Sequence, residues 1–277
     1  MAASIPKVLM LHGYSQNASI FSKRVGALRK TFGKDVELVF VDAPIVLHPV
    51  DLASTFGTAS SDDSSSSLAA LGAAEASANT DDPALTPRGW WKTNAARTVV
   101  NGLEESLLLL KSVLRGQHFH GVFGFSQGAA MAGLLAALLE RPHLYAPFLE
   151  DGQPIHPPFN VCVAVSGFKP VGELAAAAFA DGYGTPTLHV LGRNDVVVVE
   201  ERSLTLVDVS KARRVEAHEG GHFVPSKASW RAFLKAYILA PGADVPGPGA
   251  AATSQPASGT VTPSTGIANG RLVLSAL

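Results

Sequence analysis

Short apolar runs alternate along the chain with segments whose apolar residues recur every three or four positions, and this rhythm holds from about residue 7 to residue 239. Residues 7–11 (KVLML), 36–42 (VELVFVD), 120–125 (HGVFGF), 159–166 (FNVCVAVS), 186–191 (PTLHVL) and 213–217 (RRVEA) read as strands. Most are apolar throughout rather than at alternate positions, the pattern of strands covered on both faces. A helix is predicted over 18–32, where Asn17 can cap the first turn and Ile20, Val25 and Leu28 share a face. Another is predicted over 98–114, where Val99, Leu103, Leu107, Leu110 and Leu114 recur at steps of four, four, three and four. Further helices are expected over 127–140, 174–180, 199–208 and 227–239.

Strands alternating with helices imply an α/β architecture: a mostly parallel sheet of about six strands with helices on both faces, and functional loops at the edge where the strands end. The rhythm breaks in three places. Residues 48–87 include the run SSDDSSSS and an Ala-rich stretch without a period, so a surface insertion is expected near 52–87. Residues 141–158 hold five prolines and read as a loop over the catalytic edge of the sheet. From residue 241 onward Pro, Gly, Ala, Ser and Thr dominate, so residues 1–240 are expected to form one domain and 241–277 a disordered tail.

Composition narrows the functional classes. With 277 residues, 47% of them hydrophobic, the chain can bury a sizeable core. Its 22 basic and 23 acidic residues are not clustered, so neither nucleic acid nor a membrane surface is an expected partner. No run approaches the roughly 18 apolar residues of a membrane span, and the segment before the first strand is too short for a signal peptide. The single cysteine, Cys162, lies in an apolar run and is expected to be a buried, inert thiol in a reducing cytoplasmic setting. The 9 histidines are scattered and no nucleotide-binding glycine motif occurs, so no metal and no other cofactor is expected.

One motif carries the chemistry. Between a strand and an Ala/Leu-rich helix stands Gly124-Phe125-Ser126-Gln127-Gly128, the Gly-x-Ser-x-Gly pattern of a nucleophile elbow. A sharp strand-to-helix turn would present Ser126 at the end of the sheet, and the flanking glycines would let strand and helix approach it. The backbone amide of Gln127, at the helix start, would then face the oxyanion formed when Ser126 attacks a carbonyl. The loop after the first strand, His12-Gly13-Tyr14, is placed to supply a second amide from Tyr14, with His12 as a buttress of that loop. Two further strands end in Gly192-Arg193-Asn194-Asp195 and Gly220-Gly221-His222. The order Ser126, Asp195, His222 is that of α/β-hydrolases. In that arrangement His222 takes the proton of Ser126, and Asp195 fixes the imidazole and stabilises its charged form. His218 and Asp208 are the competing base and acid, but His218 belongs to the end of a strand and Asp208 to a predicted helix. Trp90 and Trp91 either line an apolar substrate pocket or pack in the core.

Taken together, HGYSQN at 12–17, Asp42-Ala43-Pro44, GFSQGAA at 124–130, VSGF at 165–168, GRND at 192–195 and GGHFVP at 220–225 resemble the fungal serine hydrolase family. That family includes polyketide-releasing esterases and the animal ovarian-cancer-associated esterase-like proteins. The resemblance runs from about residue 7 to 239. It implies hydrolysis of carboxylic esters through an acyl-enzyme on Ser126, or of acyl thioesters, since some fungal relatives release acyl chains from a carrier. A non-catalytic binding module on the same fold is the reading from another class, and loss of a triad residue would mark it.

Overall fold

A computed structural model describes residues 4–51, 76–77, 82–94, 98 and 100–249. Six strands form the central sheet: β1 (Lys7–Leu11), β2 (Glu37–Val41), β3 (Gly121–Phe125), β4 (Val161–Val165), β5 (Thr187–Gly192) and β6 (Arg213–His218). Their spatial order is β6-β5-β4-β3-β1-β2 and every neighbouring pair is parallel. The order reverses at β1, and β3 lies next to it. Ligands of open parallel sheets bind at such a switch, beyond the strand ends.

The alternation of side chains along each strand divides the core in two. Val8, Met10, Phe123, Val163, Leu188 and Val190 pack on one face under α1 (Ala18–Arg24), α2 (Gly26–Phe32) and the closing helix α7 (Ala228–Leu239). Leu9, Leu11, Val122, Cys162 and Ala164 pack on the other under α3 (Leu103–Leu114), α4 (Gln127–Glu140), α5 (Glu173–Phe179) and α6 (Glu200–Val207). Both sets are buried, which explains the continuously apolar strands. α4 is buried at every residue from Gln127 to Leu139. An all-round Ala/Leu sequence suits that position, and each fully buried Leu contributes about 1.5–3 kcal/mol.

Four expectations need correction. The helix expected over 18–32 is two helices, broken at Val25 (φ −93°, ψ 19°), where a β-branched residue precedes Gly26. The break still leaves Phe21, Leu28 and Phe32 packed against the sheet. The helix expected from residue 98 begins at Leu103, because Gly102 (φ 88°) turns the chain and Val100–Asn101 pairs with Lys92–Thr93 as a short ribbon. Residues 141–158 lie at the edge where the strands begin, since a crossover helix must carry the chain back there before the next parallel strand. Accordingly, the Phe119 amide just before β3 donates to His156 Nε2, and Glu150 pairs with Lys111 and Arg115 at the end of α3. The expected tail does not start at 241. Val245 is buried in the α7 face and its carbonyl accepts a 2.6 Å hydrogen bond from Arg214 Nη1. The Ser-rich stretch and the tail beyond Gly249 lie outside the described residues.

The two ends of the segment after β2 are held side by side. Ile45–Val46 pairs antiparallel with Arg88–Gly89, and the Leu47 amide donates to Pro87 O at 2.9 Å. The Arg88 amide donates to Gln16 O and its carbonyl accepts from the Ser15 amide, both at 2.9 Å, which ties this ribbon to the loop after β1.

Candidate active site

The nucleophile elbow forms as the motif requires. Ser126 sits between the last residue of β3 and the first of α4 with φ 54° and ψ −119°, a conformation that a non-glycine residue holds only when its surroundings enforce it. Its amide is anchored on Val165 O at 2.8 Å. A Cβ on Gly124 would stand 2.2 Å from Gly128 O, and one on Gly128 would stand 2.2 Å from Leu11 O. Both glycines are therefore demanded by backbone packed against backbone. Gln127 is the first residue of α4, so its amide has no acceptor within the helix.

The loop after β1 closes over the elbow. A Cβ on Gly13 would be 3.0 Å from the Phe125 ring and 3.4 Å from Ser126 Cβ, which places this loop directly against the nucleophile. The Gly13 amide donates to Gln16 Oε1 (3.1 Å), and the Gln16 amide donates back to Gly13 O (3.2 Å). His12 is the expected buttress. Its Nε2 accepts from the Ala43 amide at 3.0 Å and its Nδ1 donates to Gly13 O at 2.8 Å, a pairing that needs the neutral imidazole. Burial lowers its pKa to about 4, in agreement with that form. These bonds explain why His12-Gly13 and Asp42-Ala43-Pro44 belong together.

Trp90 and Trp91 are core residues and not the walls of an open pocket. They are 0% and 2% exposed, and both belong to the apolar cluster beneath α4. Trp90 Nε1 donates to His12 O, while the Gln127 side chain accepts from the Trp90 amide and donates to Trp91 O, both at 2.8 Å. The residue beside the nucleophile thus fastens this segment to the elbow, and the two indoles fill the space behind it. Nothing in the spacing of the motif marks this role of the Gln127 side chain.

Three strand ends bring Ser126, Asp195 and His222 together. His222 Nε2 lies 2.9 Å from Ser126 Oγ, and His222 Nδ1 lies 2.8 Å from Asp195 Oδ2. All three residues are buried. Asp195 Oδ1 accepts from the amides of Val197 (2.9 Å) and Val198 (2.8 Å), and Oδ2 also accepts from the Ser166 hydroxyl (2.8 Å). Burial by itself would raise the Asp195 carboxyl. The hydrogen bond and charge of His222, then the Val198 amide and the Ser166 hydroxyl, outweigh it and hold the group below the ordinary carboxylate value. Asp195 is thereby kept as the anion that an imidazolium partner needs.

The loops carrying Asp195 and His222 are knitted to each other. The Arg193 amide donates to His218 O, the Asn194 amide to Gly220 O and Asn194 Nδ2 to Glu219 O. A Cβ on Gly192 would be 2.5 Å from Gly221 O, so this close approach also requires glycine. His218 is a spacer: its Nδ1 accepts from the Gly220 amide, and its ring packs on Phe223 and Trp230. Asp208 is exposed at the end of α6. Beside the imidazole lies a cavity of about 200 Å³, lined by Gln16, Phe21, Phe125, Phe223 and Val224 together with His222. Among the described residues, no group of three His, Cys, Asp or Glu could hold a metal ion, and no helix is long and apolar enough to cross a membrane.

A parallel sheet, a strained serine at a strand-to-helix turn and an Asp–His pair on the following loops define an α/β-hydrolase of the serine type. The chain belongs to the serine hydrolase (FSH1) family, whose sequence pattern matches residues 1–234. Among its relatives, the zebrafish protein named esterase OVCA2 is 34% identical over 245 residues, covering 83% of this chain and 95% of the relative. The mouse protein of the same name is 33% identical over 240 residues, with 83% and 94% covered. Of solved structures, maize acyl-protein thioesterase 2 superposes with a TM-score of 0.52 at 17% identity, covering 86% of this chain and 95% of that one. Esterase PE8 gives 0.53 at 19% identity, with 86% and 93% covered. At such identities these two structures establish the fold.

Proposed function

We propose that this serine hydrolase cleaves carboxylic esters through an acyl-enzyme on Ser126, with His222 as general base and then general acid, and Asp195 as the residue that orients and charges it. The observation that carries the reading is the single imidazole bridging a hydroxyl at 2.9 Å and a buried carboxylate at 2.8 Å. As Ser126 Oγ attacks the ester carbonyl, its proton moves to His222 Nε2, and the resulting imidazolium is stabilised across Nδ1–H by Asp195. The backbone amides of Gln127 and Tyr14 are the proposed donors to the tetrahedral oxyanion, supported by the helix start beneath Ser126 and by the packing of the Gly13 loop against it. His222 then gives its proton to the departing alcohol. Water repeats the sequence on the acyl-enzyme and releases the acid.

The names of the relatives support ester cleavage. A thioester carbonyl would be attacked by the same atoms, and matched oxygen esters and thioesters over several chain lengths separate the two. A cytoplasmic setting belongs to the same reading and draws support from Cys162, a buried free thiol whose pKa is raised by burial to about 12. The direct test is intact-mass analysis after treatment with a fluorophosphonate. One adduct is expected on the native protein and none on Ser126→Ala. A native protein that takes no adduct beside a reacting control hydrolase would mean a hydrolase fold without the activity.

A further inference from the structure

We infer that Ser166 is a positioning residue of this hydrolase: its hydroxyl fixes the Asp195 carboxylate in the orientation that serves His222. The inference rests on the roles proposed above for Ser126, Asp195 and His222. Ser166 follows the last residue of β4, the strand between the one that ends at the nucleophile and the one that leads to Asp195. It is 1% exposed and has φ 49°. The left-handed region is costly for a non-glycine residue and tends to persist where function requires it. Glycine would hold this backbone without strain, yet a hydroxyl stands here.

Among the described residues that hydroxyl donates to Asp195 Oδ2, at 2.8 Å. The same oxygen meets His222 Nδ1, and the two amides of Val197 and Val198 occupy Oδ1. An ionised carboxylate offers about four acceptor positions, and four donors fill them. Rotating the carboxylate away from His222 would break all four bonds at once. The backbone of the same strand end also holds the other partner: Val165 O anchors the Ser126 amide, while the Ser166 amide is fixed on Val190 O at 2.9 Å. One strand terminus therefore registers both the nucleophile and the acid. Without the hydroxyl, Oδ2 keeps a bare, buried lone pair, the carboxylate loses its lock, and its charge bears more fully on the imidazole.

The test compares Ser166→Ala and Ser166→Gly with the native enzyme on a small ester, each corrected for active sites titrated to completion with a fluorophosphonate. Both variants are expected to lose about ten- to a hundredfold in kcat/KM, the range for a slightly misplaced catalytic group. The loss should fall on kcat rather than KM, with the acid limb of the pH profile displaced to higher pH. Ser166→Gly should melt at or above the temperature of Ser166→Ala, because it is free of strain, and still show the same kinetic loss. The inference is overturned if both variants stay within about twofold of native with the limb unmoved, a change too small for a positioning role. It is overturned equally if activity follows melting temperature with KM raised and the limb unmoved. Failure of the native protein to react with the fluorophosphonate would overturn the roles of the three residues instead.

Discussion

Gly128→Ala sets two physical effects against each other. Within α4 the substitution favours the helix by at most about 1 kcal/mol, the helix-interior difference between alanine and glycine, because Gly128 stands in the first turn. Across the interface it places a methyl carbon 2.2 Å from Leu11 O and 2.4 Å from His12 O, both backbone atoms of the strand end and loop that pack against the elbow. Relief requires α4 and β1 to part by roughly 1 Å, because neither carbonyl has a side-chain rotation to escape by. Overpacking of this kind costs about 1–3 kcal/mol or more, so the clash outweighs the gain in propensity. The same separation moves Ser126, the cap of α4, away from His222, and a displacement of that size costs about a hundredfold in rate. Urea denaturation should show lower stability, and the second-order rate of fluorophosphonate labelling should fall more steeply than stability does. A variant as stable as the native protein and labelled at the native rate would refute the claim that backbone contact dictates this glycine.

Two further outcomes are expected. His12 and His189 are buried, and burial lowers each imidazole from 6.5 to about 4. The unfolded chain takes up these protons near pH 6.5 but the fold does not, so stability is unaffected above that value and declines as pH falls toward 4. The decline is about 3 kcal/mol for each group. His189→Leu should flatten this decline in urea midpoints measured from pH 7 to pH 4.5, and curves that stay parallel would refute the assignment. At the far end of α4, Glu140 accepts from the Gly184 amide (2.8 Å) and from the Thr185 amide and hydroxyl (both 2.6 Å). Glu140→Ala should cost about 2–4 kcal/mol in thermal or chemical unfolding, with kcat/KM of the folded enzyme unchanged because this corner lies opposite the site.

The inner strands of the sheet were legible because both faces are covered, so most announce themselves as apolar runs, whereas β6 (RRVEAH) at the sheet edge does not. The candidate residues Ser126, Asp195 and His222 were legible because each stands just past a strand, in a glycine-bearing loop. What stayed hidden depends on contacts distant in sequence. Residues 98–102 carry helical spacing by coincidence, and only the pairing of Val100–Asn101 with Lys92–Thr93 reveals an extended ribbon. Trp90 and Trp91 follow a polar stretch, but their burial is decided by hydrogen bonds to Gln127 and His12. The prolines of residues 141–158 mark a loop without saying at which edge it lies, and the return of the crossover helix α4 is what places it where the strands begin. In the sequence Ser166 stands out only as part of the VSGF run at 165–168. A polar residue at a strand end beside Gly167 was a signal available in the sequence, yet its role appears only with the hydroxyl seen against Asp195.

The ribbon joining Ile45–Val46 to Arg88–Gly89 works as a clasp: whatever polypeptide runs between its two sides, the backbone enters and leaves at one fixed point next to the Ser15–Gln16 turn. Closing a flexible loop becomes dearer by only about 0.6 kcal/mol for each doubling of its length. For engineering, a replaced stretch should begin after residue 51 and end before residue 76, because Asp51 pairs with Lys92, Ala76 packs on Ile20, and Asn17 Nδ2 donates to the carbonyls of Pro83, Ala84 and Thr86.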